Sequence, residues 1–213
     1  MKQGAIVRCY HLTEYLEAIL KSLEHLDGVL VMNYRFDGVP EAEDDTKQIV
    51  DKLNQVNVTY NTGNPLPQQE VFNKALKIFE YLQFDWVWIN DADEFILRDD
   101  RDEIINFLET HAYNGGTTNV IDYTKFGERA GIRTHRPTVI VRPYVRFFET
   151  RCADYSNWYF KDIYMHHFGH MMKDKEWKEK HLWYSKHSYD NVLCTKHEKC
   201  EVPDEIKEFI NGT

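Results

Sequence analysis

The 213-residue sequence predicts an α/β fold in which a mostly parallel central sheet carries helices on both faces. Between residues 4 and 98, short apolar segments alternate with segments whose apolar residues recur at helical spacing. Hydrophobic residues make up 42% of the chain and aromatic residues 14%, which is typical of a folded domain and not of a disordered segment. Both observations favour a single globular unit with a substantial core.

Four apolar strands alternate with helices through the first half of the chain. The predicted strands are residues 5–10, 29–34, 57–60 and 85–89. Thr13 and Asp45 are suitable N-caps for the first two helices, and Pro65 and Pro67 mark the loop before the third. Because consecutive strands are separated by helices, each connection is a crossover, which predicts parallel pairing.

The second half departs from this alternation. A helix is expected after Asp99 and Asp100, followed by strands and then by two more helices. The remaining predicted segments are strands at 118–123 and 138–148, an aromatic- and histidine-rich region at 149–172, and helices from 173 to about 186 and over 204–211. With no internal repeat or linker, residues 1–213 are expected to form one domain, whose half 1–98 binds the ligand and whose mixed half 99–213 completes the pocket.

Charge and composition argue against several classes of protein. The formal net charge of −9 is opposite to the basic surface expected of a nucleic-acid-binding protein. No apolar run approaches the roughly 18 to 20 residues of a membrane span, and the N-terminus lacks the apolar core of a signal peptide. The four cysteines are too few and too scattered for a disulfide scaffold. We therefore expect a soluble, cytoplasmic protein.

A pair of carboxylates, Asp91 and Asp93, follows the fourth predicted strand. Residues i and i+2 of an extended backbone point to the same side, and ligands of parallel sheets bind beyond the carboxyl ends of the strands. Mg²⁺ and Mn²⁺ take one or two carboxylates together with substrate phosphates, so a cation here would offset the repulsion between an acidic protein and a diphosphate. The alternative is that both aspartates are only turn and helix-cap residues.

The segment WVWINDADEFI around this pair resembles the D-x-D region of GT-A-fold glycosyltransferases, particularly those similar to glycosyltransferase family 2. The opening AIVRCYHLTEYLEAILKSL is similar to that family's first strand and helix. In NYRFDG, Asp37 and Gly38 match its donor loop. VFNKALKIF is similar to its third helix and keeps Asn73, whereas Phe72 replaces an arginine. The resemblance covers residues 4 to 98 well and the rest of the chain less well, and it implies a Rossmann-like GT-A domain.

The resemblance also implies an activity, which is transfer of a sugar, of the hexose type, from a nucleotide diphosphate to a hydroxyl of a glycan, lipid or protein. The cofactor would be Mn²⁺ or Mg²⁺. The base and ribose of the donor would lie near Tyr10, His11 and Asp37. Asp91 would lie towards the ribose or the metal, and Asp93 would be the more direct metal ligand.

A second matching element, His167-Phe168-Gly169, resembles a His-aromatic-Gly segment of family-2-like transferases. It makes His167 a candidate third metal ligand, since a neutral imidazole is an acceptable ligand for Mn²⁺. The alternative is that His167, like His166 and His170, packs among aromatic residues with a satisfied hydrogen bond.

An inverting transferase also needs a general base that takes the proton of the acceptor hydroxyl. In the related fold this base is an Asp or Glu well after the D-x-D motif. Asp154 is therefore the first candidate, ahead of Glu149 and Asp162. A surface carboxylate without a catalytic role is the alternative for each of them.

Other interpretations of the sequence stay open. Cys194, His197 and Cys200 have donor atoms that suit structural zinc, with His187 as a possible fourth ligand, and a disulfide between the two cysteines is the alternative. The aspartate pair would also serve a metal-dependent nucleotidyl or phosphoryl transferase, although no G-x-x-x-x-G-K-[ST] loop is present. A non-catalytic module that binds nucleotide or glycan is a third possibility.

Overall fold

The structure is a computed structural model, and it describes residues 1–9, 13–35, 45–125, 128–133, 136–149, 151–153, 156–168, 198–199 and 201–211. The helix expected between 173 and about 186 lies outside these residues. Within them, no helix is both long enough and apolar enough to cross a membrane.

Twelve strands and five helices make up the described part of the chain. The strands are β1 (Gln3–Cys9), β2 (Gly28–Asn33), β3 (Val58–Thr62), β4 (Trp86–Asp91), β5 (Glu94–Phe95), β6 (Gly115–Lys125), β7 (Glu128–Arg133), β8 (Thr138–Val141), β9 (Phe147–Glu149), β10 (Cys152–Ala153), β11 (Asn157–His167) and β12 (Glu198–Lys199). The helices are α1 (Leu16–Ser22), α2 (Thr46–Leu53), α3 (Gln68–Tyr81), α4 (Arg98–Thr110) and α5 (Asp204–Asn211).

Four parallel strands in the order β4-β1-β2-β3 form the half of the sheet that the sequence predicts. In their register Ile6 of β1 lies opposite both Leu30 of β2 and Ile89 of β4. Beyond β4 the sheet continues through β8, β6, β7 and β12 with antiparallel pairing, while β11 runs parallel to β6 and pairs antiparallel with β5. The predicted α/β class, with its mixed second half, is confirmed.

The central strands are buried on both faces, as expected for a parallel sheet covered by helices. On one face Val7 belongs to a core cluster with residues of α1, α2, α4 and α5. On the other face its neighbour Ile6 packs in a cluster with α3. Helix α3 approaches so closely that a Cβ atom at Gly4 would lie 2.4 Å from the ring of Phe79. The parallel strands are therefore packed between two apolar layers.

The second half contains more strands than the sequence predicts, since β7, β10, β11 and β12 have no predicted counterpart. The predicted strand 138–148 is interrupted after Val141, because the chain turns around Pro143, which has no N–H to donate to a ladder. Strand β11 is absent from the prediction, since an irregularity between Phe160 and Tyr164 breaks the alternation of buried and exposed residues.

Candidate functional site

The candidate site lies where β4 ends. The chain leaves β4 at Asp91, turns at Ala92 and Asp93, and enters β5 at Glu94. The prediction assumed an extended backbone from Asp91 to Asp93, whereas the strand ends at Asp91. The register of the sheet places His167 of β11 opposite Glu94. Two parts of the chain that are distant in sequence, the β4–β5 turn and β11, thus meet here.

Asp93 is a buried carboxylate, 2% exposed, and neither of its oxygens has a hydrogen-bond partner among the described residues. The turn that holds it is fixed by the backbone N–H of Phe168, which donates to the Asp93 carbonyl at 2.9 Å. The Nε2 atom of His167 lies 3.6 Å from Asp93 Oδ2. Burying a carboxylate without a partner is costly, so this position favours a bound cation.

Ligand atoms of Asp93, Glu94 and His167 lie within 4.8 Å of one another, and this group could hold a metal ion. Two atoms each about 2.1 Å from one octahedral ion are separated by about 3 Å when adjacent and about 4 Å when opposite. The 3.6 Å between His167 Nε2 and Asp93 Oδ2 lies in that interval. The residues present therefore fit an ion with oxygen and nitrogen ligands.

Glu94 is already engaged by Arg151. Nη1 of this guanidinium donates to Glu94 Oε1 at 2.8 Å and Nη2 donates to Oε2, which also accepts from the backbone N–H of Asp91 at 2.8 Å. Burial raises the pKa of the Glu94 carboxyl, and the charge of Arg151 opposes that shift. Arg151 has a left-handed backbone, with φ of 52°. Glu94 is therefore the member of the group of three whose two carboxylate oxygens are both occupied by described donors.

Asp91 is paired with a different arginine. Arg8 of β1 donates to Asp91 Oδ1 from Nε at 2.7 Å and to Oδ2 from Nη2 at 2.5 Å, and Arg151 Nη2 lies 3.6 Å from Oδ1. Burial would raise the pKa of Asp91, but the two guanidinium groups hold it well below its usual range. Asp91 is thus an ionised carboxylate beside the group of three ligand residues, and its contact with ribose or metal stays a prediction.

Among the residues that the structure describes, the charged groups of the site leave an excess of negative charge. They are Asp91, Asp93, Glu94, Asp122, Arg8 and Arg151. Four carboxylates against two guanidinium groups leave two formal negative charges when His167 is neutral. A divalent cation would neutralise them, which is the balance that a buried site requires.

Two adjacent histidines of β11 have different environments. His167 Nδ1 lies 2.6 Å from Asp122 Oδ1, so its other nitrogen is directed at Asp93. His166 Nδ1 instead lies 2.8 Å from the hydroxyl of Tyr123, and burial lowers the pKa of His166 to about 4. The structure therefore brings His167, and not His166, to the carboxylates.

Several predicted site residues lie outside the described residues: Tyr10, His11, Asp37, Asp154, His170, His187, Cys194, His197 and Cys200. Of the alternative bases, Glu149 belongs to β9, where it pairs with Cys152 of β10. The side chain of Asp162 is 85% exposed, and its Oδ2 lies 3.9 Å from Lys161 Nζ.

Four residues of the site, Arg8, Glu94, Asp122 and Arg151, were not predicted from the sequence. Arg8 and Asp122 each carry a signal, because a charge inside an apolar strand segment is rarely buried without a partner. Arg151 lies in a connection between short strands and carries no such signal.

No protein-family model and no curated protein sequence matches this chain. Among solved structures it is similar to TarS of S. aureus, with a TM-score of 0.58 and 18% identity over 79% of this chain and 37% of that one. The TarS fragment 1-349 gives a TM-score of 0.56 at 18% identity, over 79% of this chain and 60% of the fragment. The same fragment in complex with UDP-GlcNAc aligns over 58% of this chain and 35% of that one, with 23% identity and a TM-score of 0.45.

The likeness to TarS shows a GT-A-like glycosyltransferase fold, which confirms the fold that the sequence resemblance implies. At this level of identity it shows the fold alone. The chain spans 37% of the length of TarS and 60% of the length of its 1-349 fragment.

Proposed function

We propose that this chain is the catalytic domain of a metal-dependent glycosyltransferase, similar to family 2, which moves a hexose-type sugar from a nucleotide diphosphate to an acceptor hydroxyl. The observation that carries the proposal is the Asp93 carboxylate, which is buried without a hydrogen-bond partner among the described residues and lies 3.6 Å from His167 Nε2. This carboxylate lies at the carboxyl end of β4 in a GT-A-like sheet, which is where α/β sheets bind their ligands.

Asp93 and His167 would hold the ion through one or two oxygens and one nitrogen. Bound Mn²⁺ or Mg²⁺ would supply Lewis-acid stabilisation of the charge that develops on the departing diphosphate. The chain's own part is preorganisation of the turn that carries Asp93. The Phe168 N–H donates to the Asp93 carbonyl, and Arg151 pairs with Glu94 where the turn ends. With two protein ligands, a bound ion would keep coordination positions for phosphate oxygens and water.

The remaining roles belong to the same proposal. Tyr10, His11 and Asp37 follow β1 and β2 and would contact the base and ribose, while Asp91 would lie towards the ribose. Asp154 would take the proton of the acceptor hydroxyl. Since the TarS fragment is solved with UDP-GlcNAc, uridine diphosphate sugars are the first donors to test.

The test replaces Asp93 by asparagine, which keeps the shape and removes the charge. We expect Asp93→Asn to weaken Mn²⁺-dependent binding of UDP at least tenfold in calorimetric titrations and to abolish sugar transfer from uridine diphosphate sugars. Thermal stability without metal should stay equal or rise, because the variant removes a buried charge that has no hydrogen-bond partner among the described residues.

Asp85→Asn is the matched control. Asp85 precedes the other end of β4, where its exposed carboxylate accepts from the backbone N–H of Lys2 at 2.6 Å. This variant should bind UDP and Mn²⁺ as the unaltered protein does. Sugar transfer that persists in Asp93→Asn with unchanged metal dependence would overturn the proposal.

The same assays test the two alternative functions. A nucleotidyl transferase would release pyrophosphate from a nucleoside triphosphate and leave uridine diphosphate sugars intact. A non-catalytic module would bind UDP with Mn²⁺ and release no sugar from any donor. Either result would also overturn the proposal.

A further inference from the structure

Asp122 is a second buried carboxylate of the site, 1% exposed, and it contacts His167, one of the residues proposed to hold the ion. Its Oδ1 lies 2.6 Å from Nδ1 of His167. In the parallel register of β6 and β11, Asp122 and His167 are direct Cα partners. The contact is therefore built into the pairing of two strands and does not depend on a loop.

The chemistry of this contact decides which nitrogen of the imidazole carries hydrogen. An ionised carboxylate can only accept, so Nδ1 of the neutral ring must donate to Asp122. Nε2 then carries the lone pair of the ring, and this is the atom that lies 3.6 Å from Asp93 Oδ2. A ring with hydrogen on Nε2 would have no electron pair to offer an ion at that position.

We propose that Asp122 is a positioning residue, which holds the His167 ring in the tautomer and orientation that direct the Nε2 lone pair towards Asp93. The importance of this orientation for catalysis rests on the proposed function. Its physical basis is the carboxylate–imidazole pair that commonly orients metal-ligating histidines.

A neighbouring pair shows what a purely structural contact looks like on the same two strands. The hydroxyl of Tyr123 lies 2.8 Å from Nδ1 of His166, and the two rings stack with centroids 5.9 Å apart. A hydroxyl can donate or accept, so it imposes no tautomer on His166. Tyr123→Phe is therefore a matched control, since it removes a hydrogen bond to a histidine one residue away.

The experiment records the ring nitrogens of His167 by two-dimensional ¹H–¹⁵N NMR of the metal-free protein with neutral imidazole. We expect hydrogen on Nδ1 in the unaltered protein and in Tyr123→Phe. In Asp122→Asn the amide can accept from Nδ1 through its oxygen or donate to it through its NH₂, so we expect the preference for Nδ1 to be lost and hydrogen on Nε2 to become populated. The affinity for Mn²⁺ without nucleotide, followed by the EPR signal of the free ion, should fall about 10- to 100-fold in Asp122→Asn only.

Hydrogen on Nε2 in the unaltered protein would overturn the inference, and this measurement needs no variant to fold. Unchanged tautomer and Mn²⁺ affinity in Asp122→Asn would overturn it as well. The expected tautomers, together with no Mn²⁺ binding by the unaltered protein, would support the positioning of the ring and would count against the proposed function instead.

Discussion

Removal of Arg151 should be among the most destabilising single changes in the site. The Arg151 side chain is 6% exposed and donates to both oxygens of Glu94, which is 4% exposed. Arg151→Met keeps the aliphatic volume but leaves Glu94 as a buried carboxylate without its counter-charge. The only remaining described donor to that carboxylate is the backbone N–H of Asp91.

The magnitude follows from this burial. Breaking a buried ion pair by removing one partner costs about 3 to 5 kcal/mol, a large part of the total stability of about 5 to 15 kcal/mol of a typical domain. Loss of Arg151 also raises the pKa of Glu94 further above that of the unfolded chain. A carboxyl shifted in this direction favours the folded state when it is protonated, so the deficit should shrink as the pH is lowered.

Urea titrations of the metal-free protein at several pH values test this. Glu94→Gln added to Arg151→Met should restore about 2 kcal/mol, because the stranded charge is gone. Lys47→Met is the control, since its ion pair with Asp51 is solvent-exposed and should contribute no more than about 0.5 kcal/mol. An equally small loss for Arg151→Met, or a loss that does not vary with pH, would refute the reasoning.

Two further predictions concern charges on α4. Burial and the carboxylates of Glu103 and Glu205 raise the pKa of Asp100 to about 6, so stability is lost as the pH rises through that value. Asp100→Asn should therefore raise the free energy of unfolding by about 1 kcal/mol at neutral pH, allowing for partial exposure, and by nothing near pH 4 in the same titrations. Arg101 is 3% exposed, donates to the Ser22 carbonyl at 3.2 Å, and has its pKa lowered to about 10 by burial. Arg101→Met should leave stability unchanged or raise it by up to about 2 kcal/mol, and a clear loss would contradict this.

The parallel half of the fold could be predicted because its signals are local. Helical and strand periodicity report the backbone conformation of each segment, and their alternation implies crossover connections. The same reasoning missed β11, whose irregularity disturbs the alternation on which a strand prediction depends. When the alternation of buried and exposed residues is broken in this way, a strand is recognised only from its pairing with a neighbouring strand, here β6.

The candidate site was predictable in part. The position of Asp93 after β4 is a sequence observation, and the resemblance to GT-A glycosyltransferases added His167. The expected side-by-side arrangement of Asp91 and Asp93 assumed an extended backbone, whereas the chain turns at Ala92 and Asp93. Nothing in the sequence connects Arg151 with Glu94, which lie 57 residues apart.

By itself the sequence determined the α/β class, the order of the first elements and the presence of two aspartates at a strand end. Only the tertiary structure made those aspartates different. Asp91 meets Arg8, 83 residues away, and is ionised and paired, while Asp93 is buried with no hydrogen-bond partner among the described residues and faces His167. Periodicity reports which face of the chain is buried, but the partner of a charge depends on which distant strands pair, and that is decided by the packing of the whole sheet.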